Sequence, residues 1–395
     1  MKTICIAGKN NIAVDVLEKI IEKYSEKSVI YVIYNNTETG NNTWQKSLKF
    51  FAEKWGIQNI SLEQAYEIEN LIFISCEFDQ LVKPEKFNSP FLYNIHFSLL
   101  PAYRGMYTSA LPLFNGEKES GVTFHFIDRG IDTGDIIEQR RFEIDETDTC
   151  RSLYQKYIIY GTHLIIDLLD RIINCDCVGK AQDVYGASYY SKKAIDYNNI
   201  RIDLNQTAWK IGRQIRAFSH REYQLPNIEG MRIFDYKIAN EKSTVKPGTI
   251  LERNQDFIKI STIDYNIILY RDCFEDICRW TKEKNFNELE KIPNLEMYMN
   301  ERKDNRTPLM IAVENGCAEI VELFLENGAD TQAVDGDGKT LLMIAASQME
   351  LNINIFKKLC QSGVSTEKKD YCDHSIWHYI PDEKYEMIKA IIATK

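Results

Sequence analysis

Two hydrophobic periods alternate over the first hundred residues. KTICIAG (2–8) is a short, nearly unbroken apolar run, as a buried strand requires. NNIAVDVLEKIIEKYSEK (10–27) then spaces Ile12, Val16, Leu17, Ile20 and Ile21 at helical intervals, and SVIYVIYNN (28–36) is again strand-like. WQKSLKFFAEKWG (44–56) predicts a second helix, and NLIFISC (70–76) and FLYNIHF (91–97) two further strands. Strands alternating with helices predict an α/β fold with a mostly parallel sheet covered on both faces. The first strand–helix turn is Gly8-Lys9-Asn10-Asn11, which lacks the GxGxxG spacing of dinucleotide sites.

GVTFHFIDRGIDTGDIIEQRRFEI (121–144) is two strand-like runs around a polar, Gly-rich loop, and RSLYQKYIIYGTHLIIDLLDRII (151–173) is a long amphipathic helix. Residues 174–200 are irregular. A helix at 206–217 and strand-like runs at 231–240, 246–261 and 265–272 predict a small, mostly-β unit. The remainder repeats. RTPLMIAVENGCAEIVELFLENGAD (306–330) returns after 33 residues as KTLLMIAASQMELNINIFKKLCQSGVS (339–365), with a degraded copy at 374–392 and a partial one at 285–300. This period and its T-P-L-x-x-A word resemble ankyrin repeats, an all-α module.

Composition narrows the function classes. With 48 Lys+Arg against 58 Asp+Glu, the formal net charge is −10. An acidic chain without a basic tract lacks the phosphate-neutralising surface of a general nucleic-acid binder. The apolar run near the N-terminus is too short for a signal peptide, and no stretch approaches a membrane span. Ten scattered Cys without CxxC spacing predict reduced thiols in a cytoplasmic protein. No metal-ligand spacing is present; His374 and His378, four apart in the repeat unit and without carboxylate support, read as packing residues.

The candidate chemistry lies in YNIHFSLLPAYRG (93–105). In a strand, Asn94 and His96 project from one face. Histidine is the usual proton carrier near neutral pH, and a carboxamide is a neutral donor to a developing oxyanion. The loop from Asp128 to Asp135 carries three Asp, any of which could reach His96.

N-x-H-x-S-L-L-P-x-Y-R-G (94–105), followed by G-V-T-x-H (121–125) and D-x-G-x-D-T-G-D (128–135), resembles the folate-dependent formyltransferases. The resemblance covers roughly residues 1–200 and implies a Rossmann-like core, a catalytic set of Asn94, His96 and Asp132, and N10-formyltetrahydrofolate as formyl donor without a metal. It implies that Ile74, Cys76, Phe78, Leu81, Arg104, Asp128, Gly130, Ile131 and Gly134 cradle the folate, largely through backbone groups. SYYSKK (188–193) and the segment from Ala217 to Pro226 are similar to nucleotide-sugar members, above all the dTDP-3-amino-3,6-dideoxyglucose N-formyltransferases with an appended ankyrin module. By that likeness Ser98, Tyr103, Arg104, Arg213, Phe218 and Tyr223 contact the acceptor, Arg213 suiting a diphosphate and Phe218 and Tyr223 a thymine face. Asn35, Asn36 and Thr37 end the second strand, where open sheets bind ligands.

The expected organisation is a catalytic domain at 1–200, a β-rich domain at 201–284 and ankyrin repeats at 285–395. The resemblance further implies a homodimer acting in O-antigen or lipopolysaccharide synthesis. The repeats would bind either an unknown protein or a second nucleotide-sugar, and neither nucleic acid nor membrane is an expected partner. The rivals are a formyltransferase for a 4-amino dTDP-, GDP- or UDP-sugar, and an ankyrin adaptor with an inactive core.

Overall fold

A computed structural model describes residues 1–348 and 352–393. The chain divides into two compact units, one of residues 1–40 and 46–272, the other of residues 41–45 and 273–395.

The first unit begins with β1 (Lys2–Gly8), α1 (Asn10–Tyr24), β2 (Ser28–Tyr34), α2 (Leu48–Lys54), β3 (Gln58–Asn59), α3 (Leu62–Glu67), β4 (Ile72–Cys76) and β5 (Leu92–His96). A short β6 (Arg104–Gly105), α4 (Leu111–Asn115), β7 (Glu119–Phe126), β8 (Ile136–Glu143) and α5 (Cys150–Asn174) complete this layer. One seven-stranded sheet runs β3-β2-β1-β4-β5-β7-β8. It is parallel from β3 to β5, then β7 pairs antiparallel with both β5 and β8. The sheet is therefore mixed but mostly parallel, as the alternating pattern predicts. α1 and α5 pack together through the apolar faces that the periodicity marked, with Ile12, Val16, Leu17 and Ile20 fully buried.

α2 starts later than its sequence pattern predicts. Ser47 accepts the Phe50 amide and caps the helix there, so Trp44, Gln45 and Lys46 lie outside it. Gly8 sits at φ +149°, and a Cβ there would lie 1.8 Å from the Cys76 carbonyl oxygen. Glycine is required at that turn because β1 and β4 approach so closely as they end.

Residues 174–200 are irregular apart from β9 (Tyr189–Tyr190), which pairs with β6, and one 3₁₀ turn. α6 (Ala208–Phe218) then lies on a five-stranded antiparallel sheet of β10 (Asn227–Ile228), β11 (Met231–Lys242), β12 (Ile250–Arg253), β13 (Phe257–Ile260) and β14 (Tyr265–Arg271), ordered β10-β11-β14-β13-β12. Ala208, Ile211 and Ile215 of the helix share one core with Ile233, Ile258, Ile260, Ile267 and Leu269.

The second unit contains α7 (Phe274–Lys282), α8 (Phe286–Leu289), α9 (Pro308–Glu314), α10 (Ala318–Glu326), α11 (Leu341–Ala346), α12 (Ile353–Gln361) and α13 (Tyr385–Ala393). α7 packs on α9 and α9 on α11, so successive repeats bury one another's apolar faces. Thr307 and Thr340 cap α9 and α11 identically, accepting the Met310 and Met343 amides. The loops repeat too: Asp335 accepts the Asp337 and Lys339 amides, and Asp370 those of Cys372 and His374. The reading of His374 as lacking a carboxylate is corrected, because Asp370 Oδ2 lies 3.2 Å from its Nδ1. His374 is in a loop and His378 on a 3₁₀ turn, their rings stacked at 3.8 Å.

Within the first unit, the buried Arg151 of α5 pairs with the part-buried Glu222, its Nε 2.8 Å from Oε1, and His220 Nδ1 lies 3.3 Å from Oε2. Burial pulls the Glu222 carboxyl up, but the His220 hydrogen bond and the Arg151 charge outweigh it and hold it down at about 2. A lowered folded pKa stabilises above the unfolded value, about 4.3, and that contribution disappears as pH falls towards 2. We expect Glu222→Gln to lose about 3 kcal/mol of stability at pH 7. Urea melts between pH 2 and 7 check this: the wild-type advantage over the variant must shrink across that window.

Candidate active site

Position 94 on β5 faces position 125 on β7, and position 96 faces Thr123. This antiparallel register puts Asn94, His96 and His125 on one face of the sheet, beside the loop between β7 and β8. The loop brings in Asp132, whose left-handed backbone (φ +55°) turns its carboxylate onto β5. Oδ2 lies 3.5 Å from His96 Nδ1 and accepts the Gly105 amide at 2.8 Å; Oδ1 lies 3.5 Å from Asn94 Nδ2. His96 Nε2 is 2.8 Å from the Tyr103 carbonyl oxygen. A carbonyl only accepts, so Nε2 carries a proton and Nδ1 faces the carboxylate. The three residues singled out from sequence are thus brought together, two from a strand and one from a loop.

The loop is itself built. Asp128 Oδ1 accepts from the Gly130 amide and the Thr133 hydroxyl. Gly134 passes so near Phe126 that a Cβ would lie 1.8 Å from its carbonyl oxygen. Gln182, which the sequence reading missed, donates Nε2 to the Asp132 and Gly134 carbonyls, and Arg104 donates to Gln182 Oε1 from Nε and Nη2. Arg104 thus steadies the loop through Gln182. His125 was also missed as a member of this cluster; the antiparallel register of NIH on β5 with VTFH on β7 was the signal.

The other expected ligand contacts divide. The side chains of Ile74 and Cys76 are fully buried, on a strand paired on both sides by β1 and β5, so any contact from them to a ligand is through their backbone. Phe78, Val82 and Ile127 each pack against the core cluster that holds Phe73 and Leu92, so segment 78–82 and the residue leading into the 128–134 loop border one core. Leu81 and Ile131 are exposed apolar side chains on these two segments. Ser98 is wholly buried and donates to the Ala102 carbonyl. Tyr103 stacks on Tyr190 and donates to Glu117. Phe218 is buried, its ring edge-on to those of Phe114 and Tyr197. Arg213 is half-buried beside Gly116, and Tyr223 is exposed with its ring 4.5 Å from that of His220. Asn35 is spent on the scaffold, donating to the Glu77 carbonyl and accepting the Asp79 amide.

A further cluster lies at the ends of β1 and β4. Tyr154 donates to Glu77, and Asn10 Nδ2 reaches both. Burial raises the Glu77 carboxyl against the opposing pull of Lys9 and these donors.

The residue matches agree with this geometry. Residues 62–169 match the formyl transferase family and 194–273 its C-terminal domain, while 276–370 match ankyrin repeats in three copies. The chain is 43% identical to the N-formyltransferase of Helicobacter canadensis, a structure in complex with folinic acid and dTDP-3-aminofucose; the match covers 69% of this chain and 100% of that one, with a TM-score of 0.64. The chain belongs to the formyltransferase family. WlaRD, a sugar 3N-formyl transferase solved with dTDP and 5-N-formyl-THF, is also 43% identical, over 69% of this chain and 98% of that one, with a TM-score of 0.64. The methionyl-tRNA formyltransferase of Clostridium beijerinckii is 30% identical over 217 residues, which span 53% of this chain and 68% of that relative. This N-formyltransferase therefore carries its three-copy ankyrin module beyond both formyltransferase matches. Among the described residues no helix is long and apolar enough to cross a membrane.

Gly134→Ala is the cleanest local perturbation of the site, since the clash is with backbone and cannot relax by a rotamer change. We expect the β7–β8 loop to open and formyl transfer to be lost, while far-ultraviolet circular dichroism stays that of the wild type. Hydrogen exchange at residues 127–135 checks this: protection there must fall.

Proposed function

We propose that this formyltransferase moves a formyl group from N10-formyltetrahydrofolate to the amine of a dTDP-linked amino-dideoxy sugar, with dTDP-3-amino-3,6-dideoxyglucose as the acceptor, to supply a surface polysaccharide such as O-antigen. The observation that carries this reading is the assembled Asn94–His96–Asp132 site in a chain 43% identical to the whole of an N-formyltransferase complexed with folinic acid and a dTDP-3-amino sugar. The net charge of −10 favours a small acceptor over a tRNA. The ankyrin unit supplies a second recognition surface, for a protein partner.

The residues present fit a folate. Segment 78–82 and the approach to the 128–134 loop border one core cluster, and each carries an exposed apolar side chain, Leu81 and Ile131, suited to cover a flat ring. The loop is pinned by Gln182 and Asp128, so its backbone groups are held ready for a heterocycle. Bound N10-formyltetrahydrofolate supplies an electrophilic formyl carbon.

The chain's own residues then do the following. Asn94 Nδ2 donates to the formyl oxygen as negative charge develops there, an effect worth about 3 kcal/mol when the donor is preorganised. His96 presents its protonated face to the same charge, held in place by the Tyr103 carbonyl and Asp132. His96 acts as the imidazolium, with Nε2–H on the Tyr103 carbonyl and Nδ1–H beside Asp132. Nδ1 passes its proton to the nitrogen that leaves, Asp132 receives the proton that the attacking amine gives up, and transfer of that proton from Asp132 to Nδ1 restores the pair. Net, one proton moves from acceptor to donor nitrogen, and no water is consumed.

The test is to incubate the pure protein with N10-formyltetrahydrofolate and dTDP-3-amino, dTDP-4-amino, GDP-4-amino and UDP-4-amino sugars, reading formylated product by mass spectrometry. We expect rapid formylation of the dTDP-3-amino sugar and at least 10²-fold loss of kcat in each of Asn94→Ala, His96→Ala and Asp132→Ala, with unchanged melting temperature. Product only from a 4-amino sugar overturns the acceptor, wild-type rates in a variant overturn that residue's role, and no product from any sugar overturns the proposal.

A further inference from the structure

We infer that His125 is a positioning residue of this site, a neutral imidazole whose bare Nε2 fixes which end of the Asn94 carboxamide faces the reacting group. The inference rests on the formyl-transfer reading for its kinetic consequence, but its geometry stands apart from it.

His125 is almost fully buried on β7, directly opposite Asn94 in the ladder. Its Nδ1 lies 2.7 Å from the Phe126 carbonyl oxygen, which can only accept. The ring's single proton is therefore on Nδ1, and Nε2 presents a lone pair. That lone pair lies 3.0 Å from Asn94 Nδ2. Only the nitrogen end of the amide can satisfy it; the flipped amide would set two buried acceptors against each other. An amide nitrogen has two hydrogens. One is committed to His125, and the other points along the long 3.5 Å approach to Asp132 Oδ1. It is this second hydrogen that can shift onto an oxygen gaining charge beside Asp132.

Neutrality is part of the device. The charged and titratable groups around His125 are Asp132 and Asp128 from the loop and His96 from β5. Burial is the largest influence and disfavours the charged ring; Asp132 pulls the other way, and His96 opposes a second positive charge. The balance holds the imidazole well below its ordinary range, at about 4, so it stays an acceptor at neutral pH. A charged His125 would present Nε2–H to Asn94 and to Asp132 Oδ1, 3.8 Å away, in competition with His96. Two histidines beside one carboxylate thus divide the work: His96 exchanges protons with the reacting groups and His125 does not.

The chain has six histidines, so imidazole ¹⁵N labelling and long-range proton–nitrogen spectra at pH 7 resolve the tautomer, with His125→Gln assigning the signals. We expect a neutral ring protonated at Nδ1; a ring protonated at Nε2, or charged, overturns the inference whether or not the acceptor is correct. The kinetic arm is a double-mutant cycle. His125→Leu lowers kcat on the order of 10- to 100-fold, less than outright loss of an oxyanion donor, and leaves both KM values within a few-fold. His125→Gln, whose Oε1 can accept from Asn94, restores most of that loss. In the Asn94→Ala background neither substitution has a further effect. Equal losses in both backgrounds, or full activity in His125→Leu, overturn the inference. If His125→Leu does not fold, the cycle with His125→Gln and the tautomer measurement decide it.

Discussion

The Asp132 carboxylate is the constraint on which the site depends. It sits on a loop, yet the groups it must meet are on a central strand. A left-handed backbone turns it inward, and the Gly105 amide, bonded at 2.8 Å, holds it there. His96 and Asn94 then lie within 3.5 Å of its two oxygens. Much of the surrounding sequence serves that placement. Gly134 permits the loop to pass against Phe126, Asp128 closes it from within, and Gln182, locked by Arg104, clamps its carbonyls. A site assembled from four separate chain segments is made rigid by side-chain hydrogen bonds, most of them to backbone groups, rather than by a single element.

Sheet topology explains why the chemistry is here. The parallel strands all end at one edge, and beyond β5 the sheet continues with an antiparallel pair. Residues just past the ends of β1, β4 and β5 (Asn10, Glu77 and the 97–105 turn) are therefore gathered with the β7–β8 loop at the edge where open α/β sheets bind ligands. The raised Glu77 carboxyl, held by Tyr154 and Asn10, shows the same edge taking on buried polar groups that a plain scaffold would avoid.

Much of this was legible in the sequence. The period-2 run at Asn94 and His96 gave their shared face, and the 33-residue repeat announced helices that stack. Other features were hidden because they depend on side chains meeting across long separations. Ile74 and Cys76 lie on a strand whose pairing on both sides, by β1 and β5, buries their side chains. Phe218 closes an amphipathic helix, and its edge-on contacts with Phe114 and Tyr197 come from segments far off in the chain. Gln182 lies in an irregular segment with no periodicity, so nothing local marks its 50-residue reach to Asp132. His125 was visible as a letter in a motif, but its meaning needed the register that sets it against Asn94.

The central claim is that one loop carboxylate organises a formyl-transfer site on β5. Its most direct measurement is a crystal structure of the protein with folinic acid and dTDP. The account predicts the folate between segment 78–82 and the 128–134 loop, with its N10 within about 4 Å of Asn94 or His96, the reach of a hydrogen bond or one tightening step. A folate bound with N10 turned away from β5, or seated elsewhere on the chain, would contradict it.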